Sequence, residues 1–167
     1  GRLPKIEENK EGKQIYTSRL TDLTWKQLMD GDACTECGRC QDACPAYAAG
    51  TPLNPKQLIL NIRTATHRDG WSVVNGAEAP LLVGEDIKKG VLWSCTTCGA
   101  CVQECPVWVD HVPTIVGMRR YLVNEGQVDS MLQEALDNLS RYGNSFGQSQ
   151  RNRSKWTREL QTEIKDA

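Results

Sequence analysis

Apolar positions along this chain recur at intervals of three and four residues more than in alternation, and that period predicts a helical protein. The longest instance is NPKQLILNIRTATHRDG. There Asn54 suits the N-cap, Pro55 the first helical position, Leu58, Ile59, Ile62 and Ala65 share one face, and Gly70 is the expected stop. PTIVGMRRYLVNEG repeats the pattern with Ile115, Met118 and Leu122 before Gly126. In VDSMLQEALDNLSRYG the stripe is Val128, Met131, Leu132, Ala135, Leu136 and Leu139, closed by Gly143. All these stripes are expected to pack as core. Shorter helices are predicted at TWKQLMDG, capped by Thr24, at EDIKKG, and within each of two cysteine-rich runs. GWSVVNGAEAPLLVGED reads as a loop with at most a small hairpin, GNSFGQSQRNRS as a linker, and SKWTRELQTEI as a last helix.

Composition narrows the class. At 167 residues, 25% charged and 39% hydrophobic, the chain suits one compact domain with tails. The expected division is a linker at 1–20, a helical domain at 21–142, and a linker with a C-terminal helix at 143–167. A formal net charge of -1 offers no global attraction for nucleic acid, and none is expected as a partner. One Phe among few aromatics implies a modest core that bound metal would supplement by crosslinking. No apolar run approaches the ~20 residues needed to span a bilayer, and residues 1 to 30 are not signal-like. The start at Gly1, in the charged segment GRLPKIEENKEGK, reads as a piece of a longer or processed chain.

The chemistry lies in two runs, CTECGRCQDACP and CTTCGACVQECP. Cys34, Cys37, Cys40 and Cys44 are followed by Pro45, and Cys95, Cys98, Cys101 and Cys105 by Pro106, in one spacing repeated at an offset of 61 residues. Thr35 and Thr96, Gly38 and Gly99, and Pro52 and Pro113 match at the same offset, which implies a pseudo-twofold arrangement. Zinc sites normally use separated cysteine pairs, and short spacings in a chain without secretion signals suit disulfides poorly. A C-x2-C-x2-C-x3-C-P run is instead the ligand set of a 4Fe-4S cluster, and in two-cluster ferredoxins the last Cys of each run ligates the other cluster. By that rule Cys34, Cys37, Cys40 and Cys105 bind one cluster, and Cys95, Cys98, Cys101 and Cys44 the other. Gly38 and Gly99 would let the backbone approach inorganic sulfide.

Other residues carry weaker signals. His111, close behind Cys105, suits either a haem or quinone contact or a structural hydrogen bond. His67 reads as a helix C-terminal residue with no further role. Trp93 and Trp108 would shield the second run or form a docking surface. Arg141, Arg151, Arg153, Lys155 and Arg158 make residues 138 to 158 basic, either a solvated tail or a steering patch for an acidic partner or anionic lipid.

The segments TWKQLMDGDACTECGRCQDACPAYAAGTPLNPKQLI, LWSCTTCGACVQECPVWVDHVPTIVGMRRYLV and NLSRYGNSFGQ together resemble the iron-sulfur region of heterodisulfide reductase-related Fe-S oxidoreductases. The likeness is nearest to membrane-bound members that pass electrons between electron-transferring flavoprotein and menaquinone. It implies an α-helical ferredoxin fold, similar to that in succinate dehydrogenase and fumarate reductase iron-sulfur subunits. In the membrane-bound relatives the region follows a haem b-binding membrane domain and precedes two cysteine-rich CCG domains, and GRLPKIEE resembles the linker behind the membrane domain.

The chain has no G-x-G-x-x-G, no P-loop and no CCG motif, so the expected role is a non-catalytic electron relay within an oxidoreductase. The partners the resemblance implies are a flavoprotein donor and a membrane haem or quinone module or a CCG-domain subunit. The alternative is the iron-sulfur subunit of a soluble dehydrogenase or heterodisulfide reductase-type enzyme. Eight thiols that must stay reduced until loaded place the protein in the cytoplasm, and the resemblance places it at the cytoplasmic face of the membrane.

Overall fold

The computed structural model of the chain describes residues 16–153, 155 and 156. The expected helix in SKWTRELQTEI lies almost wholly outside the described residues, as does Arg158. Eight α-helices run through them: α1 (Trp25–Ala33), α2 (Arg39–Asp42), α3 (Pro45–Ala48), α4 (Pro55–Val74), α5 (Lys89–Trp93), α6 (Ala100–Gln103), α7 (His111–Asn124) and α8 (Ser130–Tyr142). Among the described residues no strand forms, only isolated bridges between Arg19 and Leu81 and between Val83 and Ile87. The expected mainly helical class is therefore what the chain adopts.

Two compact units divide the chain after Glu125. In the first, the halves echo one another: α1 packs on α4, α5 packs on α7, and the short helices α2 and α6, which correspond at the 61-residue offset, meet each other.

The starts of α1 and α4 have local reasons. Thr24 and Gln27 form a reciprocal capping box at α1, with the Gln27 N–H donating to Thr24 Oγ1 at 3.3 Å and the Thr24 N–H to Gln27 Oε1 at 2.9 Å. Asn54 caps α4 by accepting from the Gln57 N–H at 3.2 Å, with Pro55 at the first position. α4 does not stop at Gly70. It continues to Val74, because Gly70 holds an ordinary helical conformation and the left-handed turn that ends the run comes at Gly76, φ 94°. Leu58, Ile59, Ile62 and Ala65 are buried as the spacing requires, together with Ile115, Met118 and Leu122 of α7.

Three local expectations change. EDIKKG is not a helix: the N–H of Gly84, at φ 101°, donates to Ile87 O and the Ile87 N–H to Leu82 O, both at 2.8 Å, and α5 begins only at Lys89. The segment between α4 and α5 is more than a surface loop, since Leu82, Val83 and Ile87 are all buried and the Leu82 N–H donates to Ser18 O at 2.8 Å. In the second unit the α8 stripe is not core. No α8 residue is buried, and Met131 and Leu139 are 79% and 49% exposed. A stripe is hidden only where another element lies over it, and periodicity cannot say whether one does.

α1 and α4 cross very closely at Gly31. A Cβ there would sit 3.2 Å from Arg63 Cβ and 3.3 Å from Arg63 Cα, so only glycine fits without displacing α4. This contact aims the C-terminus of α1, and Cys34 is its C-cap.

Candidate metal centres

Each cysteine run is a tight loop leading into one turn of helix. In the first, Glu36 at φ 58° and Gly38 at φ 85° curl the backbone before α2. In the second, Thr97 at φ 55° and Gly99 at φ 80° do the same before α6. A side chain in this left-handed region costs roughly 1–2 kcal/mol, and it turns successive N–H groups toward one side, the geometry of an anion-binding nest. The effect on the thiols is direct. Cys37 has its pKa lowered, first by the Arg39 backbone N–H, and Cys98 likewise, first by the Ala100 N–H, with Thr35 and Thr96 side chains assisting at matching positions. The Thr97 N–H donates to Cys95 Sγ and the Val109 N–H to Cys105 Sγ, both at 3.3 Å.

The third cysteine of each run, at the start of the short helix, is buried. Burial pushes Cys40 up to about 11, reinforced by Cys34, Cys105 and Cys37 as neighbouring charges. Cys101 is pushed up to about 12 by burial, then by Cys95, Cys40 and Cys44. Cys34, Cys37, Cys40 and Cys105, three from the first run and one from the second, line a single narrow pocket together with Lys56 and His111. Cys44 sits in a small apolar cluster with Ala46 and Leu53, against which Val91 and Cys95 pack. Cys105 thus lies with the first three thiols of the other run, and Cys44 lies beside Cys95 and close enough to act on Cys101. Because Cys101 also senses Cys40, the two sites adjoin.

These residues fit 4Fe-4S clusters. Each site offers acidic or closely grouped thiols, N–H donors aimed at sulfur, and an apolar wall. Among the described residues no three His, Cys, Asp or Glu side chains close on a point-like ion, whereas a cube several ångströms across takes its thiolates farther apart.

The surroundings contain groups the spacing did not reveal. Arg63 of α4 pairs with Glu36, holding the strained residue between Cys34 and Cys37, and this contact is the first cause of the lowered Glu36 pKa. Arg119 of α7 reaches across to α5 and the second run. Its Nε and Nη2 donate to Leu92 O at 2.8 and 2.6 Å, Nη2 also donates to Cys95 O, and the guanidinium stacks 5.2 Å from the centre of the Trp93 ring. Asp30, only 6% exposed, is held by Lys26 Nζ at 2.7 and 2.8 Å and accepts the Asp110 N–H at 3.1 Å, which fixes the start of α7. Such partners lie far away in sequence, and no motif announces them.

His111 opens α7 and is buried, but its Nδ1 has no hydrogen-bond partner. His67 is not near a helix end, because α4 continues beyond it. Its Nε2 lies 2.7 Å from Asp32 Oδ1 on the surface. Trp93 is half-buried under Arg119, while Trp108 is 77% exposed. Arg141, Arg151, Arg153 and Lys155 are exposed.

Comparison with known proteins agrees with this geometry. Residues 26–106 match the family described as a 4Fe-4S dicluster domain. The chain is 37% identical, over 87% of its length, to a probable membrane-anchored ferredoxin of Chromohalobacter salexigens, of which it covers 24%. It is 34% identical, over 87% of its length, to the EtfAB:quinone oxidoreductase of Syntrophomonas wolfei, covering 24% of that protein. It is 32% identical, over 81% of its length, to one subunit of the dihydromethanophenazine:CoB–CoM heterodisulfide reductase of Methanosarcina barkeri, covering 34% of that subunit. The chain thus spans about a quarter to a third of the curated relatives it resembles. Among the described residues no helix is long and apolar enough to cross a membrane.

Proposed function

Because the chain carries a 4Fe-4S dicluster domain and is homologous to iron-sulfur oxidoreductases of the heterodisulfide reductase-related kind, we propose that it relays single electrons from a flavoprotein donor toward a membrane quinone. Two 4Fe-4S clusters are its cofactors and electron transfer its chemistry. In this reading Cys34, Cys37, Cys40 and Cys105 hold one cluster and Cys95, Cys98, Cys101 and Cys44 the other. The observation that carries it is the shared cavity lined by three thiols of one run and the last of the other.

When bound, the clusters supply one-electron storage. The chain's own residues would hold them near the meeting of α2 and α6, with N–H groups on the sulfurs of Cys95 and Cys105 and with Cys40 and Cys101 buried. The relatives' names support a flavoprotein donor and quinone acceptor, and one of them motivates attachment to a membrane. The likeness to a heterodisulfide reductase component favours a second reading, a disulfide as terminal acceptor.

The test is anaerobic iron and sulfide analysis, expected to give about eight of each per chain. Stopped-flow reduction by a reduced electron-transferring flavoprotein, with a soluble quinone analogue or a heterodisulfide as acceptor, then separates the two readings. Zinc in place of iron, or one cluster's worth of iron, would sink the proposal.

A further inference from the structure

We infer that His111 is a positioning residue for electron transfer, its imidazole N–H donating a hydrogen bond into the cluster held by Cys34, Cys37, Cys40 and Cys105 and thereby raising that cluster's reduction potential. The inference rests on the assignment of those four thiols to one cluster.

Three observations carry it. First, His111 is 2% exposed and lines the same cavity as the four cysteines. Second, its Nδ1 is buried without a hydrogen-bond partner, although the Val109 backbone is close enough to the ring to act on it. Leaving a buried polar nitrogen unpaired costs about 1–3 kcal/mol, so a partner is expected, and the pocket His111 lines is the one where sulfide and thiolate sulfur would lie. Third, the ring is held in place. His111 is the first residue of α7, and the preceding Asp110 N–H is anchored by the buried Asp30 of α1 at 3.1 Å.

A neutral imidazole carries one N–H to donate and adds no net charge to the site. Hydrogen bonds to cluster sulfurs favour the reduced, more negative state. The twin site has no counterpart, because the residue 61 positions before His111 is Gly50, which has no side chain to donate. The donor therefore distinguishes two clusters whose thiol loops are nearly identical.

The experiment uses the holoprotein, grown with ¹⁵N-labelled histidine and reduced under anaerobic conditions. The chain has two histidines, and His67 is on the surface beside Asp32, so pulsed electron paramagnetic resonance should find one class of imidazole nitrogen coupled to a reduced cluster. H67Q should leave that coupling intact. H111F, which keeps bulk but has no donor, should abolish it and lower the reduction equilibrium of that cluster at least tenfold, about 59 mV for one electron, with the other cluster within twofold. H111N, which retains an N–H, should recover part of the shift.

If H111F loses iron, the labelled wild-type protein still decides. A full complement of iron and sulfide with no imidazole coupling overturns the role of His111 alone. Coupling that persists in H111F, or equal shifts of both clusters, also overturns it. Fewer than about eight iron per chain overturns the cluster assignment and this inference with it.

Discussion

Replacing Arg119 with methionine removes a half-buried cation from beside the second cysteine run while keeping most of its length. In the native protein the guanidinium holds two backbone carbonyls, Leu92 O and Cys95 O, and covers Trp93. Hydrogen bonds to a charged group contribute about 1.5–3 kcal/mol, and stacking on an aromatic ring about 1 kcal/mol, so their combined loss is taken as about 3 kcal/mol. A midpoint of thermal unfolding lower by roughly 10 °C follows. The electrostatic effect is separate. A unit charge about 10 Å away in a medium of effective dielectric about 20 is worth about 1.7 kcal/mol, or about 70 mV for a one-electron couple. Removing a positive charge makes reduction harder, so the potential of the cluster beside Cys95 should fall by that order. The equivalent position in the first half is Leu58, which is buried and apolar, so the other cluster loses no neighbour in its own half. Potentiometric titration of the holoprotein followed by electron paramagnetic resonance measures both potentials at once, and R119K separates charge from the fork. The lysine variant should keep most of the potential and lose most of the stability. An unchanged potential in R119M, or equal shifts at both clusters, would refute the reasoning.

Other consequences are equally direct. C44S should perturb the cluster beside Cys95, Cys98 and Cys101 and spare the other; resonance spectra showing the loss confined to the Cys34 cluster would overturn the crossed assignment. G31A should destabilise the protein by about 1–3 kcal/mol, because its methyl meets the backbone of α4, and urea unfolding would show a lower midpoint at an unchanged slope. In metal-stripped protein that keeps its helical circular dichroism, Cys37 and Cys98 should alkylate first. Both are exposed and have lowered pKa values, so at neutral pH more of each is thiolate, whereas Cys40 and Cys101, at about 11 and about 12, stay protonated until far higher pH. Peptide mass spectrometry after brief labelling checks the order, and early labelling of Cys101 would contradict it.

The sequence announced what depends on short-range order. The cysteine spacing, the capping residues Thr24 and Asn54, and the stripes of α4 and α7 all act within a few residues, so pattern alone locates them. It misled wherever a distant element decides. Gly70 looked like a stop because glycine often ends helices, yet the chain needs no left-handed residue until Gly76. Leu82 and Val83 sit in a stretch of Gly, Asn and Pro that has no period, so their burial was invisible, and Ile87 fell in a segment read as a short helix. Arg119 and Asp30 read as ordinary helix-surface charges, and only the crossing of α7 with α5 and α1 reveals what they hold. The α8 stripe shows the reverse case, a clear amphipathic period with no buried residue.

The placement of each run's last thiol among thiols of the other run bears on how the protein is made. Filling one site would tie the two halves together and hold the empty second site's thiols near one another at a high effective concentration. The second loading event then has far less chain entropy to overcome than the first. Maturation should consequently be all-or-none: under limiting iron and sulfide, native mass spectrometry should find chains with no cluster or two, and few with one.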